Sequence, residues 1–131
     1  MAVTKDDLLK KLRAEIPEVS PEDVRAELER KNGLLVVDVR EGDEFRAGHL
    51  PGAVHLPRGF LELQAEKKLP DPDADLVAYC AGGVRSLLAG KILKEMGYGN
   101  VVSMTGGYNA WKNSGFKWVQ DFQYTPEQLI R

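Results

Sequence analysis

Cysteine is nearly absent from this sequence, since Cys80 is the one cysteine among 131 residues. A disulfide within the chain and a cysteine-rich metal cluster are therefore excluded. The two histidines, His49 and His55, could supply at most part of a metal site, and we expect neither a metal nor a cofactor. A lone cysteine is either a small core residue or a reactive thiol, and its neighbours in the sequence have to decide which.

Excess positive charge and long hydrophobic runs are also lacking. The chain has 18 basic and 20 acidic residues, whereas a sequence-independent nucleic-acid binder needs a surplus of Lys and Arg. The best uncharged apolar run, residues 34–37, ends at Asp38 and falls far short of the ~18 residues of a membrane span. Residues 1–11 are charged throughout and lack the apolar segment of a signal peptide. We therefore expect a cytoplasmic protein that binds neither nucleic acid nor membranes.

What the chain does contain is typical of one globular domain of ~150 residues or fewer. Residues 1–33 are predicted to be helical, because apolar side chains recur every four residues after Thr4, and Ser20 followed by Pro21 is typical of a second helix start. Apolar segments typical of buried strands follow at 34–39, 53–56, 75–79 and 101–104, and helices are predicted at 41–47, 60–66, 86–96, 108–113 and, as a last turn, 125–128. Strands separated by helices predict an α/β fold with a parallel sheet.

The residues after the third predicted strand carry the chemistry. Cys80 ends that strand, and ligands of parallel sheets bind beyond the carboxyl ends of the strands. We call residues 80–86 the Cys80 loop; its members are Cys80, Ala81, Gly82, Gly83, Val84, Arg85 and Ser86.

The composition of the Cys80 loop favours a reactive thiol. Two adjacent glycines allow a tight curl that turns backbone N–H groups inward, and the following helix adds the positive end of its dipole. Arg85 supplies a permanent cation, and Ser86 can cap the helix, donate to an anion, or both. A thiolate in such surroundings titrates below the ~8.5 of a free cysteine. The alternative is a small apolar Cys80 followed by an ordinary turn.

Four ordered motifs across residues 34–118 carry a resemblance to a known family. The Cys80 loop, CAGGVRS, resembles the active-site loop of the rhodanese family in its single-domain form, C-x-x-G-x-R-S. The segment VDVREGDEF at 37–45 is similar to the family's D-V-R-x-x-x-E-[FY], and GHLPGA at 48–53 is similar to G-H-I-P-G-A. The segment GGYNAW at 106–111 resembles G-G-[WY]-x-x-W.

The resemblance implies a three-layer α/β/α rhodanese fold with a small parallel sheet. It implies a catalytic core at 34–119, with the helical segment 1–33 packed on it and residues 120–131 as a tail. It also implies sulfane-sulfur transfer, in which Cys80 attacks a donor such as thiosulfate or a persulfide, becomes a persulfide, and passes the sulfur to cyanide or a thiol. The loop N–H groups would stabilise the persulfide, and Arg85 would orient an anionic donor.

Two other functions remain open. The chain could be a relay or binding module that passes sulfur to an acceptor protein with little turnover of small molecules. A phosphatase or arsenate reductase is less favoured, because these enzymes use C-x5-R, whereas four residues separate Cys80 from Arg85 here. The uncharged loop leaves the natural donor open. Since no second cysteine is present, the sulfur acceptor must be external.

Several other residues attract a functional interpretation that we do not favour. Asp38 and Arg40 could line the site, but an ion pair that supports its wall is the preferred interpretation. His49 and His55 are expected to form hydrogen bonds in turns. The two tryptophans are expected to pack in the core or at its edge; they are Trp111 and Trp118.

Overall fold

The computed structural model describes residues 2–120, which form a five-stranded parallel sheet with helices on both faces. The strands are β1 (Glu18–Val19), β2 (Leu35–Asp38), β3 (Val54–His55), β4 (Leu76–Tyr79) and β5 (Val101–Met104). The helices are α1 (Lys5–Glu15), α2 (Pro21–Arg30), α3 (Gly42–Ala47), α4 (Leu61–Lys68), α5 (Arg85–Glu95) and α6 (Gly107–Asn113), with a 3-10 turn at Arg58–Phe60. The sheet order is β1-β5-β4-β2-β3, which confirms the predicted α/β fold.

The sheet separates two hydrophobic clusters, as expected for strands whose side chains alternate between faces. On one face the side chains of Ala78 and Cys80 pack with Leu93 of α5. On the other face Val77 and Tyr79 pack with residues of α2 and α6. All four residues of β4 are buried, and β4 lies between β5 and β2 in the middle of the sheet. Cys80 follows β4 directly and therefore lies at the carboxyl end of the central strand.

The N-terminal helices begin where the sequence predicts. The hydroxyl of Thr4 accepts a hydrogen bond from the Asp7 N–H at 3.1 Å, and the hydroxyl of Ser20 accepts one from the Asp23 N–H at 3.1 Å. Both hydroxyls satisfy an N–H group that has no partner inside its helix. Helix α1 packs on α5, because Leu9 and Leu12 form a cluster with Leu87 of α5. Ile16, which follows α1 directly, belongs to the same cluster.

The structure differs from the prediction at three places. Residues 1–33 are not only helical, because β1 forms the edge of the sheet and the Val19 carbonyl accepts the Thr105 N–H at 2.8 Å. A two-residue strand is too short to leave a periodic pattern in the sequence. The strand predicted at 53–56 is limited to β3, and the helix predicted at 60–66 extends to Lys68. The turn predicted at 125–128 lies outside the described residues.

Candidate active site

The sulfur of Cys80 faces the loop that follows it. The backbone N–H of Gly83 donates to Cys80 Sγ at 3.1 Å, and the hydroxyl oxygen of Ser86 lies 3.6 Å from the same sulfur. Cys80 is only 1% exposed, so these contacts form in a site almost closed to solvent. The side chain is buried, yet its surroundings are polar on the side of the loop.

The curl of the Cys80 loop depends on a glycine and on the start of α6. Gly83 has a φ of +100°, a backbone conformation that residues with a side chain rarely adopt. The Tyr108 N–H donates to the Cys80 carbonyl at 2.8 Å, and the Asn109 N–H donates to the Ala81 carbonyl at 3.1 Å. The N–H and C=O of one peptide group point in opposite directions. Because the loop carbonyls point to α6, the N–H groups of the loop can point to the sulfur.

Polar contacts lower the pKa of Cys80. Burial alone raises the pKa of its thiol, because the charged form loses hydration. Hydrogen bonds from the Ser86 hydroxyl and from the N–H groups of Ser86, Gly83 and Gly82 favour the thiolate and outweigh burial. The pKa of Cys80 is therefore lower than that of an ordinary cysteine, as expected for a reactive thiol.

Ser86 does not cap the helix, so that part of the prediction is wrong. Helix α5 begins at Arg85, with Val84 at the N-cap position and no side-chain cap. Ser86 lies inside the first turn, is fully buried, and its hydroxyl reaches both Cys80 and the hydroxyl of Ser103, at 2.7 Å from the latter. Sequence reasoning missed Ser103. The available signal was a polar residue in the aliphatic strand β5.

Arg85 is held by an acidic partner that the sequence analysis did not assign. Its two terminal nitrogens donate to the two carboxylate oxygens of Glu44, at 2.9 and 3.1 Å. The guanidinium lowers the pKa of Glu44 to about 2, and the carboxylate in turn raises the pKa of Arg85. Since the pair is bidentate, the cation of Arg85 is already compensated, and an anionic ligand has to compete with Glu44.

The remaining loop residues differ in their surroundings. The side chain of Val84 is 39% exposed. Gly82 has no neighbouring atom within 4 Å of where a Cβ would lie. Ala81 contributes its carbonyl to α6, as described above. The outer surface of the loop is therefore uncharged apart from Arg85.

Asp38 and Arg40 form the ion pair that the sequence analysis favours, and the pair is buried. Arg40 Nη2 donates to Asp38 Oδ2 at 2.8 Å and to the Gly48 carbonyl at 2.6 Å, and the two side chains are 4% and 0% exposed. The guanidinium also lies 4.3 Å from the centre of the Tyr108 ring. The pair thus ties the end of β2 to the segment after α3 and to α6, whose N–H groups bind the carbonyls of the Cys80 loop.

The histidines and tryptophans have structural contacts, as expected. A ring nitrogen of His49 donates to the Phe45 carbonyl at 2.8 Å, and one of His55 donates to the Arg40 carbonyl at 2.9 Å. Both rings stack on Phe45, at 3.8 and 4.3 Å between centroids. Trp111 is buried in the core, whereas Trp118 is 39% exposed.

Comparison with known proteins identifies the family. The sequence model of the rhodanese-like domain family matches residues 20–114. This chain belongs to the rhodanese-like family. The match includes the whole Cys80 loop, the ion pair of Asp38 with Arg40, and the start of α6. Within residues 2–120, no helix of this rhodanese-like domain has the length and apolar character needed to cross a membrane.

Individual relatives carry different descriptions. A sulfurtransferase of Allochromatium vinosum is 33% identical over 100 residues, which are 76% of this chain and 92% of that protein. YrkF of Bacillus subtilis, provisionally named a sulfur carrier, is 33% identical over 96 residues, or 73% of this chain, and the matched part spans about half (51%) of its length. A solved structure from Rhodopseudomonas palustris, described as a possible tyrosine phosphatase, is 31% identical with a TM-score of 0.77, and the match covers 89% of this chain and 96% of that one.

Proposed function

We propose that this rhodanese-like protein is a sulfurtransferase in which Cys80 carries the transferred sulfur. The observation that carries the proposal is the set of donors on Cys80 Sγ, namely the Gly83 N–H at 3.1 Å and the Ser86 hydroxyl at 3.6 Å. Donors aimed at a sulfur stabilise it as a thiolate, which is the nucleophilic form. The sulfurtransferase name of the Allochromatium relative supports the same class of reaction.

The proposed reaction has two steps and needs no cofactor. The Cys80 thiolate attacks the outer sulfur of thiosulfate; the sulfur–sulfur bond of the donor breaks, and sulfite leaves with the electron pair. A persulfide donor reacts in the same way and releases a thiolate. A cyanide ion or thiolate then attacks the outer sulfur of the Cys80 persulfide, and Cys80 leaves as a thiolate. The two half-reactions give ping-pong kinetics.

The Cys80 loop supplies the electrostatics of both steps. The N–H groups of Gly82, Gly83 and Ser86 face the sulfur and compensate negative charge on the thiolate and on the persulfide. Arg85 orients an anionic donor at the edge of the loop, in competition with Glu44. We assign the supporting role to Asp38 and Arg40, whose buried pair fixes the neighbouring wall.

A relay module is the second candidate. The chain has a single cysteine, so the sulfur must leave for an external acceptor, which can be a thiol of a partner protein. The sulfur-carrier name of YrkF supports such a role. A relay forms the same persulfide but turns over thiosulfate and cyanide slowly.

A phosphatase is disfavoured, despite the description of the Rhodopseudomonas structure. The Cys80 loop has four residues between cysteine and arginine, and Arg85 already holds a carboxylate with both terminal nitrogens. A phosphate ester would have to displace Glu44 to obtain the same bidentate contact.

Intact-mass measurement tests the proposal. We expect the mass to rise by one sulfur after thiosulfate or a small persulfide, and to return after cyanide. The variant Cys80→Ser is the matched control, since it keeps the size of the side chain but should gain no sulfur. Absence of an adduct with every sulfane donor, or release of phosphate from an aryl phosphate by wild type but not Cys80→Ser, would overturn it. Steady-state turnover of thiosulfate and cyanide then separates the enzyme from the relay.

A further inference from the structure

Ser103 has a buried hydroxyl behind the Cys80 loop. At this position of β5 the strand pattern predicts an apolar side chain. Ser103 of β5 is 0% exposed and pairs in register with Ala78 of β4. Its neighbour two residues earlier, Val101, belongs to the same hydrophobic cluster as Ala78 and Cys80. A hydroxyl buried in such a place destabilises the fold unless it is hydrogen-bonded.

The hydrogen-bond partner of Ser103 links it to the reactive sulfur. Ser103 Oγ lies 2.7 Å from Ser86 Oγ, which in turn lies 3.6 Å from Cys80 Sγ. Within residues 2–120, Ser86 is the hydrogen-bond partner that the structure gives to the Ser103 hydroxyl. The three side chains therefore form a chain of polar atoms from the sheet to the sulfur.

The direction of the two hydroxyl protons follows from the available acceptors. Each hydroxyl carries one proton, and a thiolate can only accept. If Ser86 donated to Ser103, the buried proton of Ser103 would have no acceptor among the described residues, and Cys80 would lose a donor. If Ser103 donates to Ser86, the proton of Ser86 points to Cys80 Sγ, and both protons are used. The second arrangement satisfies every group when Cys80 is ionised.

We propose that Ser103 is a positioning residue for Cys80, which donates its hydroxyl proton to Ser86 and thereby directs the Ser86 proton to the sulfur. The proposal rests on the proposed function, since it assigns a role in the same reaction. Ser86 lies in the first turn of α5, where a serine hydroxyl can also turn to a backbone carbonyl three or four residues earlier in the chain. Donation from Ser103 removes that freedom and polarises the Ser86 hydroxyl.

The decisive experiment is a pH titration of the Cys80 thiolate in the full chain, without any sulfur donor. The ultraviolet absorbance of the thiolate is followed, and the signal of Cys80→Ala is subtracted to remove tyrosine ionisation. We expect Ser103→Ala to raise the pKa of Cys80 by roughly half a unit or more, as a lost donor to the charged form does. The pH profile of the first sulfur-transfer step should move by the same amount.

A matched pair keeps the test valid if Ser103→Ala folds poorly. Ser103→Thr and Ser103→Val have the same shape and suit a strand, but only threonine retains the hydroxyl. We expect threonine to keep the wild-type pKa and valine to show the raised value. Thermal unfolding measured alongside reports whether the two variants are equally stable.

The double variant Ser86→Ala/Ser103→Ala tests whether Ser103 acts through Ser86. Its Cys80 pKa should equal that of Ser86→Ala alone, because Ser103 then has nothing to orient. An unchanged pKa in Ser103→Ala, equal values for threonine and valine, or additive shifts in the double variant would each overturn the proposal. The titration needs no sulfur donor, so these results stand apart from the mass test of sulfur transfer.

Discussion

Gly107 lies directly against the backbone of Cys80. A Cβ on Gly107 would overlap the Cys80 carbonyl oxygen and would lie 2.6 Å from the Ala81 carbonyl oxygen. The next residue, Tyr108, donates its N–H to that same Cys80 carbonyl at 2.8 Å. The close approach of α6 therefore holds the peptide groups of the Cys80 loop in the orientation that turns N–H groups to the sulfur.

We predict that Gly107→Ala distorts the Cys80 loop. The positive φ of +58° disfavours alanine, and the added methyl group must displace two carbonyls. Alanine at positive φ costs ~1 kcal/mol, and overpacking adds roughly 1–3 kcal/mol. Urea unfolding should show this loss, and thiolate titration should show a raised Cys80 pKa.

Gly115→Ala is the matched control for that change. Gly115 also has a positive φ, +79°, but no atom lies within 4 Å of its missing Cβ. This variant should lose only the ~1 kcal/mol of backbone strain and keep the Cys80 pKa of wild type. Equal effects of the two variants would contradict the role given to Gly107.

The sequence predicts the part of the site that is local in the chain. The glycines, Arg85 and Ser86 follow Cys80 directly, so their order alone indicates a curled loop at the end of a strand. Glu44 and Ser103 escape prediction, because they lie 41 and 17 residues from the loop side chains they contact. Only the packing of β4 against β5 and of α3 against the loop brings these partners together.

Strand β1 escapes prediction for a different physical reason. Its two residues are defined by hydrogen bonds to β5 rather than by a pattern of their own. Helices α1 and α2, by contrast, carry their start signals in their own sequence, at Thr4 and Ser20. A helix whose start is defined by local hydrogen bonds can be predicted from the sequence. An edge strand that is defined by hydrogen bonds to a strand distant in the chain cannot.

The ion pair of Arg85 with Glu44 gives a prediction for acid stability. Arg85 lowers the pKa of Glu44 from the ordinary 4.5 to about 2 in the folded protein. Because the folded pKa is below the unfolded one, the stabilisation is present above the unfolded pKa and is lost as the pH falls through about 2. Glu44→Gln should therefore flatten the dependence of the urea midpoint on pH in this acid range.

Removing Arg85 instead of Glu44 tests whether their ion pair causes the loss of stability in acid. Arg85→Gln should flatten the same acid range, and the double variant should add nothing further. If the acid dependence survives in Glu44→Gln, another carboxylate causes it. At neutral pH, Arg85→Ala should raise the thiosulfate concentration needed for half-saturation. The midpoint temperature of thermal unfolding should change little by comparison.

The buried pair of Asp38 and Arg40 should contribute to stability in a way that an exposed pair does not. Removing one partner leaves an uncompensated charge in the core, so Arg40→Ala should cost ~3–5 kcal/mol in the free energy of unfolding. Arg30→Ala removes the exposed pair with Glu27 and should cost less than ~1 kcal/mol. Similar losses in the two variants, measured by urea unfolding, would argue against a supporting role for Arg40.

We propose that the N-terminal segment is packed on the catalytic core, and we predict that this contact stabilises the fold. Ile16 is fully buried, and its Cγ2 is 3.0 Å from where a Cβ on Gly90 of α5 would lie. Ile16→Ala should cost ~2–5 kcal/mol, because the tight contact with α5 leaves a cavity when the side chain is truncated. Leu8, which is 42% exposed on α1, gives the control, and Leu8→Ala should stay within ~0.5 kcal/mol of wild type. Equal unfolding free energies for both variants would mean that the contact of the N-terminal segment with α5 does not stabilise the helix that carries Arg85 and Ser86.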